Sequence, residues 1–334
     1  MRVAVLGGGS WGTALAKLLS ESDHQTTMWV HNPQVCATIL ECRENSVYLP
    51  GFPLPANLRV TSNLGEALER AELAVYVSPS HVAREIMSAA RAVMPAGVPV
   101  VSASKGVEEK SRKRMSQVIA EALGREDLSN VASLSGPSFA REVAARMPTA
   151  VTAAAVRQDL AELVQQVFSC PSFRVYSSTD LIGVELGGTV KNVIAIAAGV
   201  SDGLGFGSST RAAVVTRGVA ELSRLVTRLG GDARTVAGLS GVGDLVLTCT
   251  GDLSRNRSVG LRLGKGETLA DILRDMRMVA EGVKNSTTVC ALALDAGVEM
   301  PIAEQIRLLL HENKPARQVV GDLMSRHAKP EIWN

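Results

Sequence analysis

Short apolar runs alternate with longer amphipathic stretches through the first half of the chain. The runs are rich in valine and alanine, and the stretches between them, such as 80–93, have the spacing of helices. Strands that alternate with helices predict a parallel, doubly wound sheet with right-handed crossovers. We predict its strands at 3–6, 26–30, 73–77, 98–102, 131–134, 149–155 and 173–176.

The pattern changes near residue 180. Asp180 is a good helix N-cap, and the long segments 183–200 and 209–229 have helical spacing almost throughout. We therefore predict an α/β protein of two domains. A Rossmann-type dinucleotide-binding domain with a doubly wound sheet covers residues 1–180, and a mostly α-helical substrate-binding and catalytic domain covers residues 181–334.

A glycine-rich turn joins the first predicted strand to the first predicted helix. Its pattern is Gly7-x-Gly9-x-x-Gly12. Gly7 permits the tight turn, Gly9 lets the backbone approach phosphates, and Gly12 lets the helix pack on the strand. The free N–H groups and positive end of the helix then face the anion. The segment predicts a site for the pyrophosphate of a dinucleotide.

The end of the second predicted strand bears on which nicotinamide cofactor binds. An Asp or Glu there accepts a hydrogen bond from the ribose 2′-hydroxyl of NAD, whereas the 2′-phosphate of NADP needs neutral or basic neighbours. This chain has His31-Asn32 at that point. Because no carboxylate repels a phosphate there, we expect NADPH or NADH to bind, and the preference stays open. An exposed histidine with no cofactor contact is the alternative.

Composition excludes several function classes. The formal net charge is +2 at pH 7 and aromatic residues are 3% of the chain, so neither a basic surface nor a base-stacking platform for nucleic acid is expected. The five cysteines are scattered, with no Cys-x-x-Cys pair and no histidine at ligand spacing. We therefore expect no disulfides, no metal site and a cytoplasmic location. No apolar run approaches the roughly 18 residues of a membrane span, so no stable membrane insertion is expected.

Two lysines are candidates for chemistry. Lys105 directly follows a predicted buried strand, at the carboxyl edge where open α/β sheets bind ligands. Lys191, with Asn192, interrupts an otherwise small and apolar helical segment. Burial disfavours the ammonium form of lysine and can bring its pKa towards neutrality, where it can act as an acid or base. Glycines around Lys191 would permit close ligand approach; a lysine that snorkels to water is the alternative.

Two later segments carry anion-binding chemistry. An arginine fork at Arg255, flanked by Ser254 and Asn256, can bind a phosphate monoester. Asp244, an acceptor when ionised, could orient a substrate hydroxyl or Lys191. From spacing alone, a polar loop without a ligand is an equal alternative for both segments.

Six motifs occur in order along nearly the whole chain. Together they are far more specific than the glycine turn, which many oxidoreductases share. On these motifs the chain resembles the bacterial NAD(P)-dependent glycerol-3-phosphate dehydrogenases. The motifs are Gly7-Gly-Gly-Ser10-Trp11-Gly12-Thr, Ser104-Lys105-Gly-Val, Ser135-Gly136-Pro-Ser138-Phe-Ala140, Glu185-Leu-Gly-Gly-Thr-Val-Lys191-Asn192, Gly241-Val-Gly-Asp244-Leu and Leu253-Ser254-Arg255-Asn256.

The resemblance implies a helical second domain of the 6-phosphogluconate-dehydrogenase-like kind. It also implies reversible NAD(P)H-dependent reduction of dihydroxyacetone phosphate to sn-glycerol 3-phosphate, for glycerophospholipid synthesis, by a cytoplasmic homodimer. Lys191 would donate the proton in reduction and accept it in oxidation. Besides the three turn glycines, the implied cofactor-binding residues are Ser10, Trp11, His31, Lys105, Ala140, Arg255, Val279 and Glu281. The implied substrate-binding residues are Lys105, Gly136, Ser138, Lys191, Asp244, Ser254, Arg255 and Asn256.

Two other functions stay open from the sequence. A related dehydrogenase of a carboxylated hydroxy acid or sugar acid would share the architecture, but it would bind a carboxylate where this chain is expected to bind a phosphate. A dinucleotide sensor would close on NAD(P)H and signal through a partner without turnover.

Several NADPH-using members of the resembled family carry arginine where this chain has His31. This difference bears on cofactor preference and not on the reaction.

Overall fold

The computed structural model describes residues 1–276, 280–328 and 330–331. The chain forms two compact units. The first unit comprises Met1–Thr189 and Val226–Asp244, and the second comprises Val190–Leu225 and Leu245–Asn334. Residues 181–189 and 226–244 thus belong to the first unit. The division into functional domains at residue 180 stays a prediction.

One sheet organises the first unit. In the described part of the chain its eight strands follow the order β3-β2-β1-β4-β5-β6-β7-β8. The order reverses beside β1, which places the turn after β1 at the switch point where doubly wound sheets bind ligands. The strands are β1 Arg2–Leu6, β2 Gln25–Trp29, β3 Arg59–Thr61, β4 Leu73–Tyr76, β5 Val100–Ser102, β6 Val131–Ser135, β7 Thr149–Ala155 and β8 Phe173–Ser178.

The direction of the last two strands differs from the expected all-parallel sheet. Strands β1 to β6 are parallel, but β7 pairs antiparallel with β6, and β8 pairs parallel with β7. The connection from β6 to β7 contains a helix of only five residues, Ala140–Ala144, which is short for a parallel crossover. The sheet is therefore mixed, as large doubly wound sheets often are.

Both faces of the sheet are buried. Val3 and Val5 of β1 pack in one apolar core, whereas Ala4 and Leu6 pack in the other. Successive side chains of a strand point to opposite faces, so a continuous apolar run is what a strand covered on both sides requires. The same reasoning explains the fully buried LAVY sequence of β4.

Helices cover the sheet and make up most of the second unit. A 3-10 turn, Ser80–Val82, precedes α4, and a π-helical turn, Leu239–Gly243, precedes α11. The helices are α1 Ser10–Glu21, α2 Pro33–Cys42, α3 Leu64–Leu68, α4 Ala83–Arg91, α5 Met115–Ala122, α6 Ala140–Ala144, α7 Gln158–Phe168, α8 Leu181–Gly203, α9 Ser208–Arg228, α10 Ala233–Val236, α11 Asp244–Thr250, α12 Arg255–Gly264, α13 Leu269–Asp275, α14 Glu281–Asp295, α15 Pro301–His311 and α16 Ala316–Met324.

Helix α8 begins where the sequence predicts. The Asp180 carboxylate accepts a hydrogen bond from the backbone N–H of Gly183 at 2.9 Å, which confirms its role as a cap. Contrary to the expectation from apolar run length, this helix is long and apolar enough to span a membrane. However, 94% of its apolar window is buried inside the protein, as in a core helix.

Helices α8 and α12 touch backbone to backbone within the second unit. A Cβ added to Gly199 would lie 2.1 Å from the carbonyl oxygen of Arg257, and one added to Gly260 would lie 2.0 Å from that of Ile196. Gly203 and Gly264, one turn further along each helix, are equally crowded. These four glycines hold the two helices at a separation that no larger residue permits.

Candidate functional site

The glycine turn after β1 has the geometry that its sequence predicts. Gly7 has a φ of +144°, which strongly favours glycine. A Cβ on Gly12 would lie 1.9 Å from the carbonyl oxygen of Gly7, so only glycine lets α1 approach the turn this closely. The first requirement of a pyrophosphate site, close packing of strand, turn and helix, is met.

The start of α1 suits an anion. Gly9 is the N-cap residue and has no side chain with which to cap the helix N–H groups; no atom of the described residues lies within 4 Å of where its Cβ would be. Ser10 and Trp11 open the helix. Trp11 Nε1 is buried without a hydrogen-bond partner among the described residues. An acceptor-rich diphosphate therefore fits the donors offered here.

Asn45 stabilises the glycine turn through hydrogen bonds, a role that the sequence did not suggest. Its Nδ2 donates to the carbonyl oxygen of Gly8 and to Oγ1 of Thr13, both at 2.8 Å, and its Oδ1 accepts from the N–H of Tyr48. The side chain is fully buried. Asn45 lies in an irregular segment 32 residues from Thr13, so no local pattern could have identified it.

His31 lies at the end of β2, as predicted, and is exposed. Its ring packs edge-on against Trp29, with 5.5 Å between ring centroids. Asn32 has a different task, because its Oδ1 accepts from the N–H groups of Gln34 and Val35 and so caps α2. Of the predicted pair, His31 is the side chain left to meet a ribose substituent.

Lys105 anchors a polar cluster in the first unit. Its Nζ donates to Oδ2 of Asp244 at 2.7 Å and to the carbonyl oxygen of Gly136 at 3.2 Å. Asp244 is 1% exposed, so the ion pair is shielded from solvent on the carboxylate side. Ser138 Oγ donates to the same Gly136 oxygen at 3.0 Å. The structure thus brings together four of the predicted substrate-binding residues.

The glycines near Lys191 have a different purpose from the one expected. A Cβ on Gly187 would lie 2.2 Å from the carbonyl oxygen of Ser240, and one on Gly188 would lie 2.8 Å from Ser135 Oγ. Protein atoms, rather than a ligand, therefore occupy the space that these glycines leave. Gly188 also lies against the side chain of Lys105.

Lys191 anchors a second cluster, in the second unit. It is 6% exposed, and its Nζ donates to Oγ1 of Thr248 at 2.9 Å. Sequence reasoning did not single out Thr248, although it follows Asp244 by four residues, which is one turn of α11. Lys191 is therefore buried and held by a hydroxyl, and it does not snorkel to water.

Asn192, next to Lys191, belongs to a chain of amide groups. Asn256 Nδ2 donates to Asn192 Oδ1 at 3.0 Å, and the backbone N–H of Gly282 donates to Asn256 Oδ1 at 2.9 Å. Both asparagines are buried. Sequence reasoning missed Gly282, because nothing in its neighbourhood indicates which distant residue its N–H meets.

Ser254 and Arg255 mark the start of α12. Ser254 is the N-cap, and its Oγ accepts from the N–H of Arg257 at 3.2 Å. Protein around the Arg255 guanidinium lowers its pKa, and the nearby Glu281 carboxylate opposes that shift. The side chain is nevertheless exposed, so water still reaches it and the guanidinium stays charged.

The remaining predicted residues are placed as follows. Ala140 is the first residue of α6 and packs against the apolar core, and Glu281 is the first residue of α14. Val279 lies outside the described residues. Among the described residues, no group of three His, Cys, Asp or Glu side chains lies together as a metal site would need.

Two family models match the chain. One is described as the N-terminus of NAD-dependent glycerol-3-phosphate dehydrogenase and matches residues 2–161. The other is described as the C-terminus of the same enzyme and matches residues 180–321. The two matches together cover most of the sequence.

Individual proteins are similar over their whole length. The glycerol-3-phosphate dehydrogenase (NAD(P)+) of Geobacter sp. strain M21 is 52% identical over 330 residues, which cover 99% of this chain and 98% of that protein. The corresponding protein of Myxococcus xanthus is 48% identical over 332 residues, which cover 99% of each. A crystal structure of glycerol-3-phosphate dehydrogenase from Coxiella burnetii matches with a TM-score of 0.93 at 38% identity, covering 97% of this chain and 99% of that one.

Proposed function

The chain belongs to the NAD-dependent glycerol-3-phosphate dehydrogenase family, and from that premise we propose what its residues do in the reaction. The enzyme interconverts dihydroxyacetone phosphate and sn-glycerol 3-phosphate with NAD(P)H and NAD(P)+. When bound, the nicotinamide supplies or accepts the hydride. The protein must hold the cofactor, move one proton and bind the phosphate.

The turn after β1 would hold the cofactor. Gly7, Gly9 and Gly12 bring backbone N–H groups to the diphosphate, while Asn45 keeps the turn in place by binding the carbonyl oxygen of Gly8. A turn fixed before the ligand arrives loses less conformational entropy on binding. His31 would face the adenosine ribose, where a neutral or protonated ring tolerates a 2′-phosphate.

Lys191 would carry the proton. In reduction its ammonium donates a proton to the oxygen of the former ketone, and in oxidation the neutral amine accepts it from the hydroxyl. The observation that carries this proposal is the burial of Lys191 together with its hydrogen bond to Thr248. The bond fixes the direction of Nζ, and burial strengthens the attraction between its charge and a growing alkoxide.

Lys105 and Asp244 would bind the substrate's polar atoms. Asp244 neutralises and positions the Lys105 ammonium, whose third N–H would donate to a substrate oxygen. Arg255, Ser254 and the amides of Asn192 and Asn256 would bind the phosphate. Arginine matches the bidentate geometry of a phosphate better than lysine does.

Replacement of Lys191 tests its role. We expect Lys191→Ala to lower kcat for dihydroxyacetone phosphate by about 10²–10⁴-fold and to leave NADPH affinity nearly intact, because the proton transfer is lost but the cofactor turn is not. NADPH absorbance measures turnover, with dihydroxyacetone as the unphosphorylated control substrate. The matched variant is Lys265→Ala, an exposed lysine at the end of α12. Equal turnover in both variants would remove Lys191 from this role.

We also propose a cytoplasmic homodimer that supplies glycerol 3-phosphate to glycerophospholipid synthesis. All five cysteines are described, and each is a free thiol, which suits a reducing compartment. Leu294 and Met324 are each 81% exposed, and large exposed apolar side chains often mark protein contacts. We expect the protein to sediment at twice the mass of one chain. Replacement of both residues with serine should reduce the sedimenting mass to that of one chain.

A further inference from the structure

A buried carboxylate of α8 has no part in the reaction as proposed above. Glu185 belongs to the first unit, and its side chain is 5% exposed. Its Oε1 accepts a hydrogen bond from the backbone N–H of Ser116 at 2.7 Å, and its Oε2 accepts from Ser116 Oγ at 2.7 Å and from Arg114 Nη1. A buried carboxylate is costly unless it is both paired and hydrogen-bonded, and Glu185 is both.

The partners of Glu185 lie where the loop that carries Lys105 ends. This loop, residues 103–114, joins β5 to α5, and we call it the lysine loop. Arg114 is the N-cap residue of α5 and pairs with Val107 in an antiparallel bridge. Val107 is only two residues from Lys105, so a fixed position of Arg114 also restricts the backbone beside the lysine.

Gly188 brings the same helix against Lys105 itself. Gly188 follows Glu185 by three residues, so the two lie on one face of α8. A Cβ on Gly188 would lie 3.3 Å from Cγ and 3.6 Å from Cδ of Lys105. Helix α8 therefore meets the lysine loop at two points: Glu185 holds its end, and Gly188 lies against the aliphatic stem of Lys105.

We propose that Glu185 is a positioning residue for Lys105, an inference that rests on the proposed role of Lys105 in substrate binding. Lys105 Nζ donates to Asp244 and to Gly136, so the direction of its third N–H depends on where its backbone and stem are held. Glu185 holds the backbone through Arg114 and the stem through the packing of α8. A shift of about 1 Å in a group that positions a substrate can lower the rate by roughly 100-fold.

The charge of Glu185 matters as well as its shape. A glutamine at this position keeps one oxygen, which can still accept from the N–H of Ser116. Its NH2 group would then face the guanidinium of Arg114, which can only donate. Two donors would meet, and the Arg114 side chain, 13% exposed, would lose its counter-charge. We therefore expect this isosteric change to release the end of the lysine loop.

Glu185→Gln tests the proposal, with Glu109→Gln as its matched control. Glu109 is an exposed residue of the same loop. We expect Glu185→Gln to lower kcat/KM for dihydroxyacetone phosphate by about 10- to 100-fold, and Glu109→Gln by less than about twofold. NADPH absorbance measures turnover. A Glu185→Gln variant that is as active as the control would overturn the proposal.

Ser116→Ala keeps the test valid if Glu185→Gln does not fold. It removes one of the three donors to Glu185 and leaves the ion pair with Arg114 in place. We expect a smaller loss in kcat/KM for dihydroxyacetone phosphate, about 3- to 10-fold. Unchanged kcat/KM in this variant would count against the proposal in the same way.

A double-mutant cycle with Lys105→Ala separates positioning from a purely structural role. If Glu185 acts through Lys105, Glu185→Gln or Ser116→Ala should lower kcat/KM by less than about threefold once Lys105 is alanine. An equal loss in both backgrounds would overturn the inference and leave the proposed role of Lys105 intact. A Lys105→Ala variant as active as the unmodified protein would overturn both.

Discussion

At the scale of single residues, function depends on the hydrogen-bond partners of each polar group. Lys105 donates to the carboxylate of Asp244, and Lys191 donates to the hydroxyl of Thr248. The carboxylate balances the charge of Lys105, and the hydroxyl helps to fix the direction in which the Lys191 Nζ points. A buried ammonium group held in a fixed direction is suited to stabilise an alkoxide.

His31 is the residue on which cofactor preference is expected to depend. We expect His31→Arg to raise the ratio of kcat/KM for NADPH over NADH by about 10- to 100-fold, because a guanidinium binds a 2′-phosphate through charge-assisted hydrogen bonds. Parallel assays with both cofactors at saturating dihydroxyacetone phosphate measure the ratio. NADH kinetics serve as the internal control, and a ratio that does not move would place His31 away from the ribose.

At the scale of elements, the contact between α8 and α12 leaves no room for a side chain at four glycine positions. The glycines occur in pairs four residues apart on each helix, so both pairs lie on one face. In the sequence, Gly260-Leu-Arg-Leu-Gly264-Lys265-Gly266 is one residue too short for a phosphate loop and has glycine where the serine or threonine of such a loop belongs, so it predicts no phosphate site. Within a helix, such a pattern points to close packing rather than to a ligand.

Gly260→Ala should therefore destabilise the protein. The added methyl meets the Ile196 carbonyl oxygen and the Val200 nitrogen, and overpacking of this kind typically costs about 1–3 kcal/mol even though alanine is the better helix former. Urea unfolding measures the change in free energy. Gly321→Ala is the control, because Gly321 lies exposed within α16 and has no described atom within 4 Å of an added Cβ. There the same substitution should be neutral or stabilise by up to about 1 kcal/mol. The packing argument fails if the two variants unfold alike.

At the scale of the whole molecule, stability should depend on pH through one buried carboxylate. Glu221 of α9 is 2% exposed and accepts hydrogen bonds from the N–H groups of Ile302 and Ala303 at the start of α15. Burial raises its pKa to about 7, although those hydrogen bonds and the charges of Arg224 and Arg326 act in the opposite direction. The carboxylate thus connects two helices but is costly to ionise.

The sign of the effect follows from proton binding. Between the ordinary pKa of 4.5 and about 7, the folded protein binds more protons at Glu221 than the unfolded chain does, so stability falls as the pH rises through this range. Protonated Glu221 contributes about 3 kcal/mol to the free energy of unfolding. This contribution is fully present below pH 4.5 and is lost above pH 7. Glu221→Gln should flatten this part of the curve in urea unfolding at pH 5, 6, 7 and 8. If Glu221→Gln leaves the slope of unfolding free energy against pH unchanged, another group causes the pH dependence.

Much of the fold could be predicted because its signals are local. The apolar runs of β1 and β4 and the Asp180 cap each depend on a few adjacent residues. Strand β3, Arg59–Thr61, was missed because three residues carry no periodicity. The predicted direction of β7 was wrong, because the direction of a strand depends on the length of the connection that precedes it.

The candidate site divides in the same way. Residue chemistry suggested Lys191, a charge in an apolar segment, and Arg255, an arginine flanked by Ser254 and Asn256. Thr248, Asn45 and Gly282 were missed because each acts through a partner far away in the sequence. Such partnerships are set by tertiary packing, which no window of neighbouring residues contains.

The assignment of residues 226–244 to the first unit affects how this protein can be divided. Each compact unit is made from two separate stretches of chain, and the chain passes from one unit to the other at residues 189, 225 and 244. A single cut therefore releases neither unit intact: a fragment ending at 180 lacks residues 181–189 and 226–244. Exchange of one unit between relatives would require two segments to be transplanted together, so recombination at a single crossover would separate parts that fold with each other.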